Sequence, residues 1–143
     1  SDWESCVRDA DVVVEASRLE RPEVMLRTEW IARGAFVVPY GTMSALEDDL
    51  LTVIDKVVVD DWGQCKNGKF GALRAHVEQG HLSESTLHAE LCQIVVGEKV
   101  GRESDDETTL LWHRGLSLSD IALGHAMLKK ASALGVGQKL RYS

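Results

Sequence analysis

Leu87–Leu123 reads LHAELCQIVVGEKVGRESDDETTLLWHRGLSLSDIAL. It holds a helix, a charged turn, an apolar strand and the start of a second helix. The turn is the run Gly101-Arg102-Glu103-Ser104-Asp105-Asp106-Glu107, which leads directly into Thr108-Thr109-Leu110-Leu111-Trp112. Upstream segments read as strand–helix units that build towards this strand. Downstream, one long helix and a short tail leave it.

The upstream units follow a regular order. A short polar helix covers Glu4 to Ala10. Val12-Val13-Val14-Glu15-Ala16 is a continuous β-branched run bounded by turn signals, which suits a strand buried on both faces of a parallel sheet. A loop follows from Ser17 to Glu23. The apolar spacing of Met25, Leu26, Trp30 and Ile31 predicts a helix to Arg33, stopped by Gly34. Ala35–Tyr40 is a second strand ending at Gly41. Ser44-Ala45-Leu46-Glu47 has the form of a capping box and predicts a helix to about Ile54. Lys56–Asp60 is a third strand, and Asp60-Asp61-Trp62-Gly63 is a polar turn.

The later elements are less regular. Helices are expected over Phe70–Gln79 and, with Ser83 as N-cap, over Glu84 to about Val96. Thr108–Trp112 is the next strand. Ser117-Leu118-Ser119-Asp120 reads as a second capping box, opening a helix to about Leu134 that Gly135 ends. Gln138–Tyr142 is a candidate edge strand. Strands alternating with helices define an α/β fold with a partial Rossmann-like parallel sheet, flanking helices and a long C-terminal helix. Such sheets bind ligands at the carboxyl ends of their strands, which directs attention to Ser17, Arg18, Tyr40, Gly41, Thr42 and Met43.

Composition bounds the function. The 143 residues are 44% apolar and 27% charged, enough for one ordinary soluble domain. A net charge of −7 without a basic face argues against nucleic acid or an anionic membrane as partner. No apolar run approaches the ~20 residues of a membrane span. Cys6, Cys65 and Cys92 are too few and too scattered for a disulfide framework, which fits a reducing, cytoplasmic setting. His76, His81 and His88 match no zinc spacing and read as helix-surface residues, so no metal is expected. Cys92 reads as a core residue on an apolar helix face. Asp105-Asp106-Glu107 reads as a solvated turn capping a strand rather than as a carboxylate site. His113, where a strand runs into a turn, has both a ligand-facing and a structural reading. The first residues, Asp2–Val7, read as a helix already under way, as if cut from something longer. No G-x-G-x-x-G or Walker-type loop is present.

Ala10–Ser17, Val58–Asp61, His88–Leu91 with Val96-Gly97, Gly101–Thr108 and Gly115–Asp120 resemble, in order and spacing, the ornithine cyclodeaminase/mu-crystallin family. Family members use NAD or NADP and include cyclodeaminases, amino-acid dehydrogenases and imine or ketimine reductases. The resemblance implies that 1–113 is the second half of a Rossmann NAD(P)-binding domain. It makes 114–143 a helix and tail returning to a substrate and dimerisation domain outside this chain. It places Ala16 and Ser17, Tyr40, Gly41 and Thr42, and Arg114 and Gly115 along the cofactor, and assigns no catalytic residue. Trp112-His113-Arg114 departs from the family's usual Phe-Lys-Ser. The cyclodeaminases carry Gly-x-Asp where this chain has Gly41-Thr42-Met43, and a Met moves no proton. That departure leans towards a reductase or dehydrogenase acting on a small amino or imino acid, in a homodimer, with the 143-residue chain inactive alone. The alternative is a non-catalytic fold remnant, dimeric and binding a small molecule or a partner.

Overall fold

A computed structural model of the chain describes residues 2–141. Its elements are α1 (Trp3–Val7), β1 (Val12–Glu15), β2 (Phe36–Pro39), β3 (Lys56–Val59), α2 (Trp62–Asn67), α3 (Arg74–Glu78), β4 (Ala89–Glu90), α4 (Leu91–Val95), β5 (Thr109–Trp112) and α5 (Ser117–Leu134). The five strands form one sheet in the order β1-β2-β5-β3-β4, with every pairing parallel. The expected α/β architecture with a parallel sheet and a long C-terminal helix is therefore present. The last strand of the chain lies in the middle, with Val37 and Val57 both in register with Leu110.

One face of the sheet carries the core. Val13, Val37, Val59, Leu110 and Trp112 are buried there with Leu26, Leu46, Leu50 and Leu73. The other face is covered unevenly. β3 is buried along its whole length, whereas β1 alternates: Val12 and Val14 are 58% and 61% exposed. The expectation of two buried faces thus fails at β1. The β-branched run has an apolar side chain on both faces, but among the described residues α4 overlies only the β3 side. Val12, Phe36, Val58, Leu111, Leu91 and Ile94 line an open apolar groove of about 440 Å3 on this face.

Several expected helices give way to tertiary pairing. The segment after Pro22 is extended, with one 3-10 turn at Thr28–Trp30, because Met25 and Leu26 donate to the Ala45 carbonyl and Glu47 donates to Leu26. The Ser44/Glu47 side chains do not close a capping box. The Glu47 carboxylate accepts from the Thr28 N–H at 2.9 Å and the Ser44 hydroxyl accepts from the Ala75 N–H at 3.3 Å, leaving only a 3-10 turn at Leu50–Val53. In place of a helix over Glu84–Val96 there is a turn, the two-residue strand β4 and the short α4; the His88 N–H donates to the Val57 carbonyl, drawing this segment onto β3. The polar turn at Asp61 is the N-cap of α2, its carboxylate accepting from Gln64 at 2.6 Å, and the helix after Phe70 is confined to Arg74–Glu78. α5 starts and stops where expected, with Gly135 left-handed at φ 65°, but its N-cap is Leu116 with no side-chain cap. Gln138–Arg141 contains no strand, and Tyr142 lies outside the described residues.

The Gly101–Glu107 turn sits at the amino edge of the sheet, away from the strand ends that bind ligands in such folds. Lys56, the first residue of β3, donates to the Gly101 carbonyl at 2.7 Å, to Glu103 at 2.5 Å and to Glu107 at 3.2 Å. The Arg102 guanidinium folds back onto the carbonyls of Ser104 and Asp105, at 2.8 and 2.6 Å. Gly34 packs against this turn at φ +81°, where a Cβ would lie 2.1 Å from the Asp105 oxygen. Asp105 and Asp106 are exposed, as a solvated turn implies, but Glu107 is half-buried and paired with Lys56, which makes the motif a structural clamp.

Two outcomes follow. Gly34→Ala introduces both left-handed strain and a backbone clash, so it should destabilise by about 2–4 kcal/mol in urea unfolding. The second concerns Lys56→Met. The Glu103 N–H and the Lys56 ammonium hold the Glu107 carboxyl below its usual range, and Glu103 with Glu107 raises the Lys56 ammonium. A depressed carboxyl stabilises above its ordinary pKa and loses that contribution as pH falls through the folded value. A raised ammonium stabilises below its ordinary pKa and loses the contribution only in strong alkali. The melting-temperature gap between wild type and Lys56→Met should be full at neutral pH and narrow below about pH 5. Thermal melts at pH 7 and pH 3.5 read it directly.

Candidate functional site at the carboxyl edge

The carboxyl ends of adjacent parallel strands leave backbone N–H groups in the following loops without ladder partners. Here buried carboxylates satisfy them. Glu15 ends β1 at 4% exposure. One of its oxygens accepts from the Ser17 N–H at 2.8 Å and from the Ser17 hydroxyl, and the other from the Gly41 N–H at 3.1 Å. A Cβ on Gly41 would lie 2.3 Å from the Glu15 carboxylate, so a larger residue there would have to displace that side chain from its Ser17 and Gly41 bonds.

Asp60 plays the same part for the central strand. It follows β3 and is 4% exposed. Its Oδ2 accepts from the Arg114 N–H at 2.7 Å and the Gly115 N–H at 2.9 Å, and lies 2.9 Å from His113 Nδ1. Its Oδ1 accepts from the Asp61 N–H at 2.8 Å, and the Cys65 thiol points at it from 3.8 Å. Burial first, then the Asp60 charge, pushes that thiol up to about 12, so Cys65 is a core group rather than a nucleophile.

The candidate residues from three separate loops meet on this edge. Ala16 is exposed and Ser17 half-buried beyond β1. Tyr40, 49% exposed, follows β2; its ring stands 5.4 Å from the His113 ring at a 30° tilt. A Cβ on Gly115 would meet only the Tyr40 hydroxyl, at 3.8 Å. Thr42 is exposed, and its carbonyl accepts from Gly71 at 2.9 Å. The Arg114 guanidinium turns aside, donating to the Phe70 carbonyl and lying 5.9 Å from the Trp112 ring. Met43 is half-buried beside Thr42.

Elsewhere the histidine and cysteine expectations are corrected. His76 is fully buried rather than on a helix surface, its Nε2 set 3.2 Å from the Glu47 carbonyl, and burial lowers its pKa. His81 and His88 lie outside helices, and among the described residues no group of three ligating side chains could hold a metal ion. Cys92 is exposed, and the core thiol is Cys65. The sequence reading passed over Glu15 and Asp60. A readable signal existed: each is an acid placed directly at the end of a Val-Val-Val run.

Fold and edge together define a Rossmann-like α/β unit whose carboxyl-edge loops are pinned from beneath by Glu15 and Asp60. The chain belongs to the ornithine cyclodeaminase/mu-crystallin family, whose model matches residues 1–134. It is 34% identical over 134 residues to N-((2S)-2-amino-2-carboxyethyl)-L-glutamate dehydrogenase of Staphylococcus aureus, covering 94% of this chain and 39% of that protein. Two solved structures share its fold. One is an archaeal alanine dehydrogenase dimer with bound NAD, with a TM-score of 0.80, 28% identity, and coverage of 100% of this chain and 44% of that one. The other is the Thermococcus litoralis Delta(1)-pyrroline-2-carboxylate reductase with NADH and L-proline, with a TM-score of 0.81, 26% identity, and coverage of 98% and 43%. The chain spans about two fifths of the length of such relatives.

If the two carboxylates act separately, their removal should loosen separate loops. In Glu15→Ala, amide hydrogen exchange at Ser17 and Gly41 should accelerate together while Arg114 and Gly115 stay protected. Asp60→Ala should do the reverse and cost about 2–4 kcal/mol, since buried donors lose a charged acceptor.

Proposed function

We propose that this chain is the cofactor-facing C-terminal part of an NAD(P)-dependent dehydrogenase or reductase acting on a small amino or imino acid. The observation that carries the reading is the convergence of the Ala16–Ser17, Tyr40–Thr42 and His113–Gly115 loops on one strand edge. Its support is that relatives of this family named as dehydrogenases and reductases match nearly the whole chain.

The edge fits the flat end of a dinucleotide. The amides of Ser17, Gly41 and Gly115 are already bonded to Glu15 and Asp60, so the loops present little polar backbone that a bound ring would have to desolvate. Ala16 and Gly115 supply low relief, and the Tyr40 ring supplies an aromatic wall. Bound there, NAD or NADP would accept or deliver a hydride, and the protein would orient the reacting carbon and move the proton. In this reading 1–113 forms the second half of a Rossmann domain, and 114–143 reaches to a substrate and dimerisation unit. α5 fits that role: Leu118, Ile121, Leu123, Met127 and Leu128 are all more than 60% exposed and need cover. A homodimer would supply part of it. No helix among the described residues is long and apolar enough to cross a membrane, and a cytoplasmic setting suits the free cysteines.

Titration calorimetry with NADH and NADPH, on this chain and on the full-length gene product that contains it, tests the reading. Binding by the full-length protein is expected. Ala16→Tyr, at an exposed position, should weaken it at least tenfold while leaving the melting temperature unchanged. Absence of binding to the full-length protein would refute the oxidoreductase reading and favour a non-catalytic, partner-binding role.

A further inference from the structure

We propose that His113 exchanges the proton at the substrate's amine or imine nitrogen, with Asp60 as its positioning residue; this rests on the oxidoreductase reading above. Three observations carry it. First, the tautomer is dictated by geometry. Asp60 Oδ2 receives the Arg114 and Gly115 N–H groups, and a backbone N–H can only donate. That oxygen is therefore an acceptor, and His113 Nδ1, 2.9 Å away, must carry a hydrogen towards it. Nε2 is left as the working nitrogen.

Second, Nε2 is available. The His113 side chain is 37% exposed, whereas Asp60 is fully enclosed, so the dyad has one buried end and one open end. Among the described residues Nε2 has no hydrogen-bond partner, while the other acids of this edge are occupied. Glu15 holds Ser17 and Gly41, and Asp61 caps α2 through Gln64. The groups facing His113 are Asp60 beyond β3, Tyr40 beyond β2 and its neighbour Arg114, whose guanidinium is turned to Phe70. Tyr40 is the other free group, but its single hydroxyl has no second polar atom for a carboxylate to hold, whereas His113 is oriented by Asp60 through Nδ1. Third, His113 opens the loop after β5 and its ring stands 5.4 Å from that of Tyr40 in the loop after β2, the two loops on which proposed cofactor-facing residues lie.

The step balances. In the reductive direction the Nε2 proton passes to the imino nitrogen, and NADH or NADPH, when bound, would supply the hydride that the adjacent carbon takes up. On the substrate one N–H and one C–H bond form as the C=N π bond breaks; the His113 Nε2–H bond and the C–H bond of the hydride donor break, so the imine is reduced, the donor oxidised and His113 left neutral. In the oxidative direction neutral Nε2 takes the proton from the amine.

Nitrogen-15 NMR of histidine-labelled protein reads the tautomer without a variant. Above pH 8, His113 should show Nδ1–H with a bare Nε2, and in Asp60→Asn it should lose that preference. Steady-state kinetics of the full-length gene product with NADH and Δ1-pyrroline-2-carboxylate reads the chemistry. His113→Gln should lower kcat by about 100-fold or more, remove one limb of the pH profile and leave KM for NADH within twofold. Tyr40→Phe should retain the limb. A bare Nδ1, or a His113→Gln enzyme with wild-type kcat and pH profile, overturns the proposal alone. A wild type that neither binds NADH nor turns over overturns the oxidoreductase reading and this proposal with it.

Discussion

A carboxylate buried at the end of a parallel strand is costly unless every lone pair that leaves water finds a donor. This fold repeats the arrangement. Glu15 at the end of β1 and Asp60 just after β3 are both buried and accept backbone N–H groups from the loops at this edge: Ser17 and Gly41 for one, Asp61, Arg114 and Gly115 for the other. The requirement is mutual, since the amides would be orphaned without the acids and the acids would be unsupported without the amides. Loops with almost no regular structure of their own thereby gain fixed paths. Where Tyr40, His113 and Gly115 stand relative to one another is a consequence of that exchange.

The opposite edge uses charge differently. There an ammonium, Lys56, gathers a carbonyl and two carboxylates from a single turn. The most distinctive run of the sequence, Gly101–Glu107, therefore serves to fix how the chain enters the central strand. That run and the proposed site lie at opposite ends of β5.

What was legible in the sequence was what local chemistry decides. The β-branched runs at Val12–Glu15, Phe36–Pro39 and Lys56–Val59 are strands, and α5 spans Ser117–Leu134 because its propensity and its glycine stop agree. The gathering of Ser17, Tyr40 and Gly41 was legible because parallel strands bring like ends together, whereas Gly115 was reached only through the family resemblance. What was not legible depended on distant partners. Glu47 has the spacing of a capping residue, yet its carboxylate serves Thr28 across the fold. The Glu84–Val96 segment has helical residues, yet two of them extend to pair with β3. Asp60 looks like a polar-turn acid and Glu15 like one more residue of its strand until the loops that close over them are known, and His76 looks like a surface histidine for the same reason.

The central position of β5 has a consequence for how the protein is made. β1 pairs with β2 and β3 with β4, but the two ribbons share no strand until Thr109–Trp112 arrives between them. On a ribosome, both ribbons emerge well before the element that joins them, and each carries an edge lined with unpaired amides and valines. Insertion of β5 then closes the sheet and brings His113 to Asp60 in the same event. The sheet cannot close, nor His113 meet Asp60, before β5 is in place, and the interval before it is when the nascent chain is most exposed to mispairing.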